Sequence, residues 1–418
     1  MTRKARKILF VTEHFYPDIS ATGNCIRILS DYFWSKKWDV TVLSKQTNIK
    51  WKDEEVIDQI KIHRIKPLFY EMETDKRTKK LLFKIIYRFA SIILLPIWPI
   101  KSLTTSNRFY KKIIKLNKQN HYDAIVYSVN PPSSLIINFK VKKHSKIQCP
   151  TAVYYLDALQ GVCTNKLFGR KISDKKIKKL EQKCLPYFDK VLFSKGHEEI
   201  YNKEINNSQN IFLGLPTLSI NKLNAKVKHK NGRKKNISMV YAGTISKERN
   251  PNILINVLAE LANQYHTKIR LDLYGKLIDV KMPRHKDIFF ECVHNGQIEA
   301  RQIDKIYNQS DVLVNIDNIN QNMIPSKIFE YISYKKPIIN FSQSNNSKVS
   351  KLLEKYNYAL TINTSKELTK KQREIIVNFI NNSSNISIDA KEILRNFNDY
   401  TPIRFYEIIC NMIEDKKK

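Results

Sequence analysis

At 418 residues the chain is long enough for two domains of ordinary size, and a hydrophobic content of 42% excludes wholesale disorder. A net charge of +34 directs it toward phosphorylated substrates, anionic lipid or nucleic acid and away from basic partners. Six cysteines at 25, 149, 163, 184, 292 and 410 form no C-x-x-C pair and no metal-ligand spacing, which fits a reduced, cytosolic protein and argues against a disulfide framework or a zinc module.

Lys7 to Thr12 reads as a short buried strand, too short an apolar run for a signal peptide, and Glu13-His-Phe-Tyr-Pro-Asp18 makes the loop after it. A helix opens at Thr22-Gly-Asn24 and reaches about Lys37, and Asp39 to Ser44 is the next strand. Strand, glycine-containing turn, helix and strand make a βαβ unit, so the sheet is expected to be parallel. No G-x-G-x-x-G is present, against a dinucleotide cofactor at this turn. Gly23, Asn24 and His14 fall where the carboxyl ends of parallel strands bind ligands.

Between Lys76 and Lys101 the pattern changes. Lys76, Lys80, Lys84 and Arg88 recur every four residues beside Leu81, Ile85, Phe89 and Ile92, giving a cationic stripe next to an apolar one. Phe89 to Ile100 is uncharged and interrupted by Pro96 and Pro99, too short and kinked to span a bilayer but suited to lying in its interface. A second basic row follows at Arg108, Lys111, Lys112, Lys115 and Lys118, so residues 76–118 are expected to dock on an anionic membrane surface.

Asp123 to Ser128, Pro150 to Leu156 and Lys190 to Ser194 read as further buried strands. Asp157, just past the second, is placed to orient a sugar hydroxyl or to cap a turn. The polar run from Asn224 to Asn236 separates two domains, expected at 1–222 and 237–398, with a linker at 223–236 and a C-terminal helix and lysine tail at 399–418.

The second half restarts with a strand ending at Gly243 and a loop carrying Thr244 and Arg249. A helix follows from near Pro251. Arg249, just before a helix start, suits a diphosphate. Strands ending at Gly275 and just before Gly296 follow (Ile269 to Tyr274, Ile288 to Val293). Three of the chain's nine glycines thus close successive strands, where a ligand can approach the backbone. The stretch Ile324-Pro-Ser-Lys-Ile-Phe-Glu330 then opens a short helix. Pro325 suits its first turn, Ser326 and Lys327 offer backbone N–H groups and a cation to an anion, and Glu330 one turn on is placed for ribose hydroxyls.

Gly243-Thr-(x)-Ser-Lys-Glu-Arg249 and Pro325-Ser-Lys-Ile-Phe-Glu330, set in two α/β halves, resemble the retaining glycosyltransferases of family 4, over nearly the whole chain. The opening Phe10-Val-Thr-Glu-His-Phe-Tyr-Pro-Asp-(x)3-Thr-Gly-Asn24 is similar to the branch that builds capsular and lipopolysaccharide chains. The resemblance implies a GT-B fold: two Rossmann-like domains with the active site between them, the C-terminal helix returning to the first. It implies transfer of a sugar from a nucleotide-diphosphate sugar to a lipid-linked or glycan acceptor, with no cofactor. Gly23 and Asn24 correspond to the family's donor-facing glycine loop, Arg249 to its diphosphate lysine and Thr244 to its diphosphate arginine. In the family's E-x7-E pair, Glu330 matches the second glutamate and Asn322 stands at the first.

His14 and Asp157 are the candidate catalytic residues. Gly23, Asn24, Gly243, Thr244, Arg249, Asn322, Ser326, Lys327 and Glu330 are the candidate donor-binding ones. No D-x-D is present, so no metal is expected; Arg249, Lys327 and the helix start at Ser326 would carry the leaving group's charge instead. Two other readings stand at this point: a sugar-nucleotide 2-epimerase of the same fold, and a catalytically degenerate scaffold that binds membrane or nucleic acid. Nucleic acid is not the expected partner, because the basic rows alternate with aliphatic and not with stacking aromatic residues. The expected location is the cytoplasmic face of the cell membrane, peripherally bound.

Overall fold

A computed structural model describes residues 5–17, 20–48, 50–67, 92–93, 95–100, 102–129, 132–145, 147–161, 163–165, 167–201, 210–225, 236–280, 285–298, 300–317, 325, 327–344, 347–383 and 388–416. The chain divides into two compact units, Met1–Thr217 with Asp399–Lys418, and Leu218–Asn398.

The first unit is built on a sheet of eight strands: β1 (Lys7–Val11), β2 (Asp39–Lys45), β3 (Glu54–Ile57), β4 (Ile60–Ile65), β5 (Ala124–Ser128), β6 (Thr151–Tyr155), β7 (Lys190–Ser194) and β8 (Asn210–Leu213). Their order is β3-β4-β2-β1-β5-β6-β7-β8, and every pairing except β3 with β4 is parallel. Because side chains alternate across a strand, each one feeds two cores. Leu9, Ile125, Val153 and Val191 enter one cluster, while Ile8, Phe10, Ala124 and Ala152 enter the other. Helices Leu103–Asn120, Ser133–His144 and Gly169–Cys184 cover the first cluster; Ala21–Ser35 and Pro402–Asp415 cover the second. The C-terminal helix therefore belongs to the first unit, with Phe405, Ile408 and Ile409 buried against the strands and Phe405 edge-on to Phe33 at 6.4 Å.

The β3–β4 hairpin is absent from the sequence-based reading. Its turn is Asp58-Gln59, with φ of 47° and 70°, a left-handed pair more often supplied by Asn-Gly, so the usual signal is missing. A hydrogen bond of 2.6 Å from the Arg27 guanidinium to Asp58 holds the turn.

The second unit carries seven strands: β9 (Asn236–Ala242), β10 (Lys268–Tyr274), β11 (His285–Lys286), β12 (Phe290–His294), β13 (Val312–Ile316), β14 (Ile338–Ser342) and β15 (Ala359–Asn363). The order is β11-β12-β10-β9-β13-β14-β15, parallel apart from the two-residue β11. Here β12 starts later than the apolar run suggests. The Asp287 carboxylate accepts the N–H groups of Phe289 and Phe290 at 2.9 and 2.7 Å, so Ile288 belongs to a turn and lies exposed.

Candidate functional site

In the second unit the carboxyl ends of β9, β10 and β12 meet through glycine. A side chain on Gly275 would place its first carbon 1.8 Å from the Gly243 carbonyl oxygen, and the residue's φ of +144° suits glycine alone. The Gly243 N–H donates to the Tyr274 carbonyl and the Gly275 N–H to the Gly296 carbonyl, both at 2.8 Å. His294 Nε2 lies 2.9 Å from the Gly275 carbonyl. A carbonyl only accepts, so this contact fixes the proton on Nε2. The edge is thus bare backbone clamped by its own hydrogen bonds.

The loop after β9 is held in the same way. Ile245 N–H donates to the Lys276 carbonyl at 3.0 Å, and Tyr241 OH donates to the Thr244 carbonyl at 3.0 Å. Thr244 itself is exposed. Burial pushes the Tyr241 phenol up, and the Arg249 guanidinium beside it pulls the other way. Arg249 closes the tight turn from Ser246, its N–H on the Ser246 carbonyl at 3.1 Å.

Helix Lys327–Ser333 docks on the end of β9 through two side chains. Lys327 Nζ donates to the Ala242 carbonyl, and Tyr331 OH accepts the Ala242 N–H at 3.3 Å. Both polar groups of that residue are thereby committed to this helix. Burial lowers the Lys327 pKa; Glu330 raises it and Arg249 lowers it further, so three charged groups share one electrostatic neighbourhood. The helix has only seven residues. Positive potential here comes from the Lys327 and Arg249 side chains more than from a helix dipole. Asn322 and Ser326 lie outside the described residues.

In the first unit, helix Ala21–Ser35 starts just beyond β1. Ser20 caps it, accepting the Gly23 N–H at 2.9 Å. Gly23 is a first-turn helix residue, and a side chain on it would meet Ser20 Oγ at 2.8 Å and the His14 carbonyl oxygen at 3.4 Å. The tight contact is with the Ser20 hydroxyl, while the His14 carbonyl lies at ordinary van der Waals distance. Asn24, one residue on, faces solvent. Thr12 Oγ1 donates to the His14 carbonyl at 3.1 Å and accepts from Ser128 Oγ at 2.9 Å, and Glu13 pairs with Lys45, so the loop holding His14 is anchored on both sides.

Asp157 follows β6, and burial raises its pKa against the pull of His197. Cys25 lies near it. Burial pushes that thiol up to about 12 and the Asp157 charge adds to the rise, so Cys25 is no nucleophile. His197 escaped the sequence reading. Ser194 Oγ gives its one proton to the Leu156 carbonyl at 2.7 Å and lies 3.0 Å from His197 Nδ1. Nδ1 must then be the donor, which leaves Nε2 as the lone-pair atom of the neutral ring. No local pattern announces this; only the pairing of β6 with β7 brings Leu156 and Ser194 together.

The structure therefore groups Gly243, Arg249, Lys327 and Glu330 in the second unit. In the first it brings Asp157 to the helix whose first turn carries Gly23 and Asn24, and packs the His14 backbone on Gly23. Among the described residues no three His, Cys, Asp or Glu side chains gather closely enough to hold a metal ion.

No protein-family model matches the sequence, and no curated protein does. Many solved structures share the fold. Sucrose-phosphate synthase from Thermosynechococcus elongatus superposes with a TM-score of 0.60 and 13% identity, over 98% of this chain and 100% of that one. The catalytic domain of starch synthase IV from Arabidopsis thaliana, bound to ADP and acarbose, gives 0.55 and 7% over 98% and 100%. The lipopolysaccharide outer core galactosyltransferase WaaB gives 0.53 and 13% over 98% and 99%. At these identities the likeness establishes architecture: two Rossmann-like domains of the GT-B glycosyltransferase fold.

Proposed function

We propose that this protein is a metal-independent, retaining glycosyltransferase that moves a hexosyl or N-acetylhexosaminyl group from a nucleotide-diphosphate sugar to a growing, lipid-linked surface glycan of the capsular or lipopolysaccharide type. The observation that carries the reading is Lys327. A half-buried ammonium, tied to the end of β9 and sharing its surroundings with Arg249 and Glu330, stands beside an edge of bare glycine backbone. A diphosphate wants that combination of close backbone approach and fixed positive charge.

In this reading the bond between the sugar's anomeric carbon and the diphosphate oxygen breaks, and the diphosphate leaves with the electron pair. Arg249 and Lys327 stabilise the charge that develops there. The acceptor hydroxyl oxygen bonds to the same face of the anomeric carbon, and its proton passes to the departing diphosphate. Glu330 accepts hydrogen bonds from ribose hydroxyls, and Gly243, Thr244, Ser326 and Asn322 complete the donor contacts. Gly23 and Asn24 face the transferred sugar, with His14 and Asp157 as the first unit's polar groups at the reacting end. The starch synthase neighbour, bound to ADP, and the WaaB neighbour, a lipopolysaccharide galactosyltransferase, support the donor and acceptor classes. Residues 76–118 would hold the protein to the cytoplasmic face of the membrane; of these, 76–91, 94 and 101 lie outside the described residues.

The test is a screen of purified protein against a panel of nucleotide sugars, with and without lipid-linked acceptor, in the presence and absence of EDTA. Transfer from one donor that survives EDTA and fails in Lys327→Met and Glu330→Ala is expected. Release of an epimerised sugar together with nucleoside diphosphate would replace the proposal by the epimerase reading. Binding of no donor at all would sink both.

A further inference from the structure

The two faces of the first sheet carry opposite charge. Helices Leu103–Asn120, Ser133–His144 and Gly169–Cys184, which cover one face, contain five, three and seven lysines and arginines, against two carboxylates in all, Asp174 and Glu181. Helices Ala21–Ser35 and Pro402–Asp415, on the other face, contain two arginines against four carboxylates. A lysine-rich coding bias would load both faces alike, and it has not done so.

The two carboxylates of the basic layer do little to offset it. Glu181 is 1% exposed and turned inward, accepting from Gln160 Nε2 at 2.8 Å and Tyr201 OH at 3.2 Å. Asp174 accepts the Gly161 N–H at 2.7 Å and pairs at 3.8 Å with Arg170, one of the seven cations on its helix. Lys171, Lys175 and Lys179, four apart along one helix, are all exposed, as are Lys111, Lys115 and Lys143.

The same layer exposes apolar bulk at one end. Leu167 is 71% exposed, Ile172 51% and Leu103 42%. The segment carrying Pro96 and Trp98 lies there too. Trp98 meets Phe168 edge-on at 5.9 Å, and Lys176 Nζ donates to the Pro96 carbonyl at 3.4 Å. Ile93, five residues before Trp98, is 74% exposed. Aliphatic side chains beside a broad cationic surface match a bilayer of anionic lipid, whose headgroups carry the charge and whose acyl boundary takes the apolar groups. Phe139, Phe168 and Trp98 are half-buried and set edge-on to other rings or beneath lysine ammoniums, so the ring faces on which a nucleic acid would stack are taken.

We infer that the outer face of this three-helix layer, centred on Gly169–Cys184, is a docking surface for an anionic bilayer. The inference gives the membrane association proposed above a specific surface, beyond the 76–118 segment.

Vesicle co-sedimentation of the full chain tests it, with vesicles of equal parts phosphatidylglycerol and phosphatidylcholine beside vesicles of phosphatidylcholine alone. Wild type is expected to sediment with the anionic vesicles only, and the triple variant Lys171→Glu, Lys175→Glu, Lys179→Glu to lose partitioning on the order of 100-fold. Leu167→Ser with Ile172→Ser is expected to weaken binding at unchanged charge, and Arg404→Glu on the opposite face to leave it unaltered. Circular dichroism and donor turnover, read on every variant, separate loss of docking from loss of fold or of the transferase. Three results would overturn the inference: no binding by wild type, tighter binding to duplex DNA than to anionic vesicles at the same salt, or loss of vesicle binding only on reversing Lys76, Lys80, Lys84 and Arg88. The last would leave the membrane reading standing and move the surface.

Discussion

The carboxyl edges of the two sheets are built from different materials. In the second unit three strand ends are closed by glycine, and the groups on display are backbone, one half-buried lysine and an arginine turn. In the first unit the edge has two close-contact glycines, Gly23 and, after β8, Gly214 against the Tyr400 ring, but between them it is furnished with paired side chains: Ser194 with His197, Asp157 beside Cys25, Glu13 with Lys45. Phosphate is recognised by charge at short range, so its site must let the group come close to the backbone and be stripped of side chains other than cations. Hydroxyl groups are recognised by placed acceptors and donors, so theirs must be furnished with them. On this contrast the proposed function places a diphosphate in the second unit.

Four substitutions would break or sharpen that contrast. The largest effect is expected from Lys327→Met, which keeps the volume and removes the charge. Donor turnover should fall on the order of 100- to 1000-fold, with the melting curve little changed. Unaltered steady-state kinetics in this variant would remove the lysine from the argument. Gly275→Ala comes next: the added carbon has nowhere to go against the Gly243 carbonyl, and denaturant unfolding should report a loss of about 1–3 kcal/mol. Gly23→Ala, the corresponding change in the first unit, meets the rotatable Ser20 hydroxyl and gains helix propensity. It should cost no more than about 1 kcal/mol, and equal losses at the two glycines would erase the distinction.

The smallest effect concerns pH. Burial raises the Asp157 pKa in the folded protein above the ordinary 3.8, so the folded chain holds that proton more tightly than the unfolded one. Its stabilising contribution is fully present below 3.8 and is lost as pH rises through the raised value. Asp157→Asn should flatten that part of the stability curve, which denaturant midpoints measured across the acid range will show. Superimposable curves for the two proteins would mean that the carboxylate is not desolvated.

Much of this was legible in the residues. The central strands announce themselves as near-continuous apolar runs because both their faces are covered, and the glycines at 243, 275 and 296 mark their ends. Arg249, Lys327 and Glu330 could be named from local pattern, since their setting is a turn and a helix start. The β3–β4 hairpin could not, because Asp-Gln carries no turn signature. Nor could the bond from Lys327 to Ala242, or the Ser194–Leu156 bond that sets the His197 tautomer, or the sorting of basic and acidic helices onto opposite faces. Each of these depends on which strands become neighbours, information that no short window contains.

The C-terminal helix has a consequence for how the molecule is made. The second unit is one unbroken stretch, residues 218–398, whereas the first needs residues 399–416 to cover the face that holds Ile8, Phe10 and Phe33. A ribosome delivers the chain from the amino end, so the part of that face not covered by helix Ala21–Ser35 must wait while some 180 residues of the other unit are synthesised. The half begun first is finished last, and a chaperone that shields apolar strands would find its substrate in that interval.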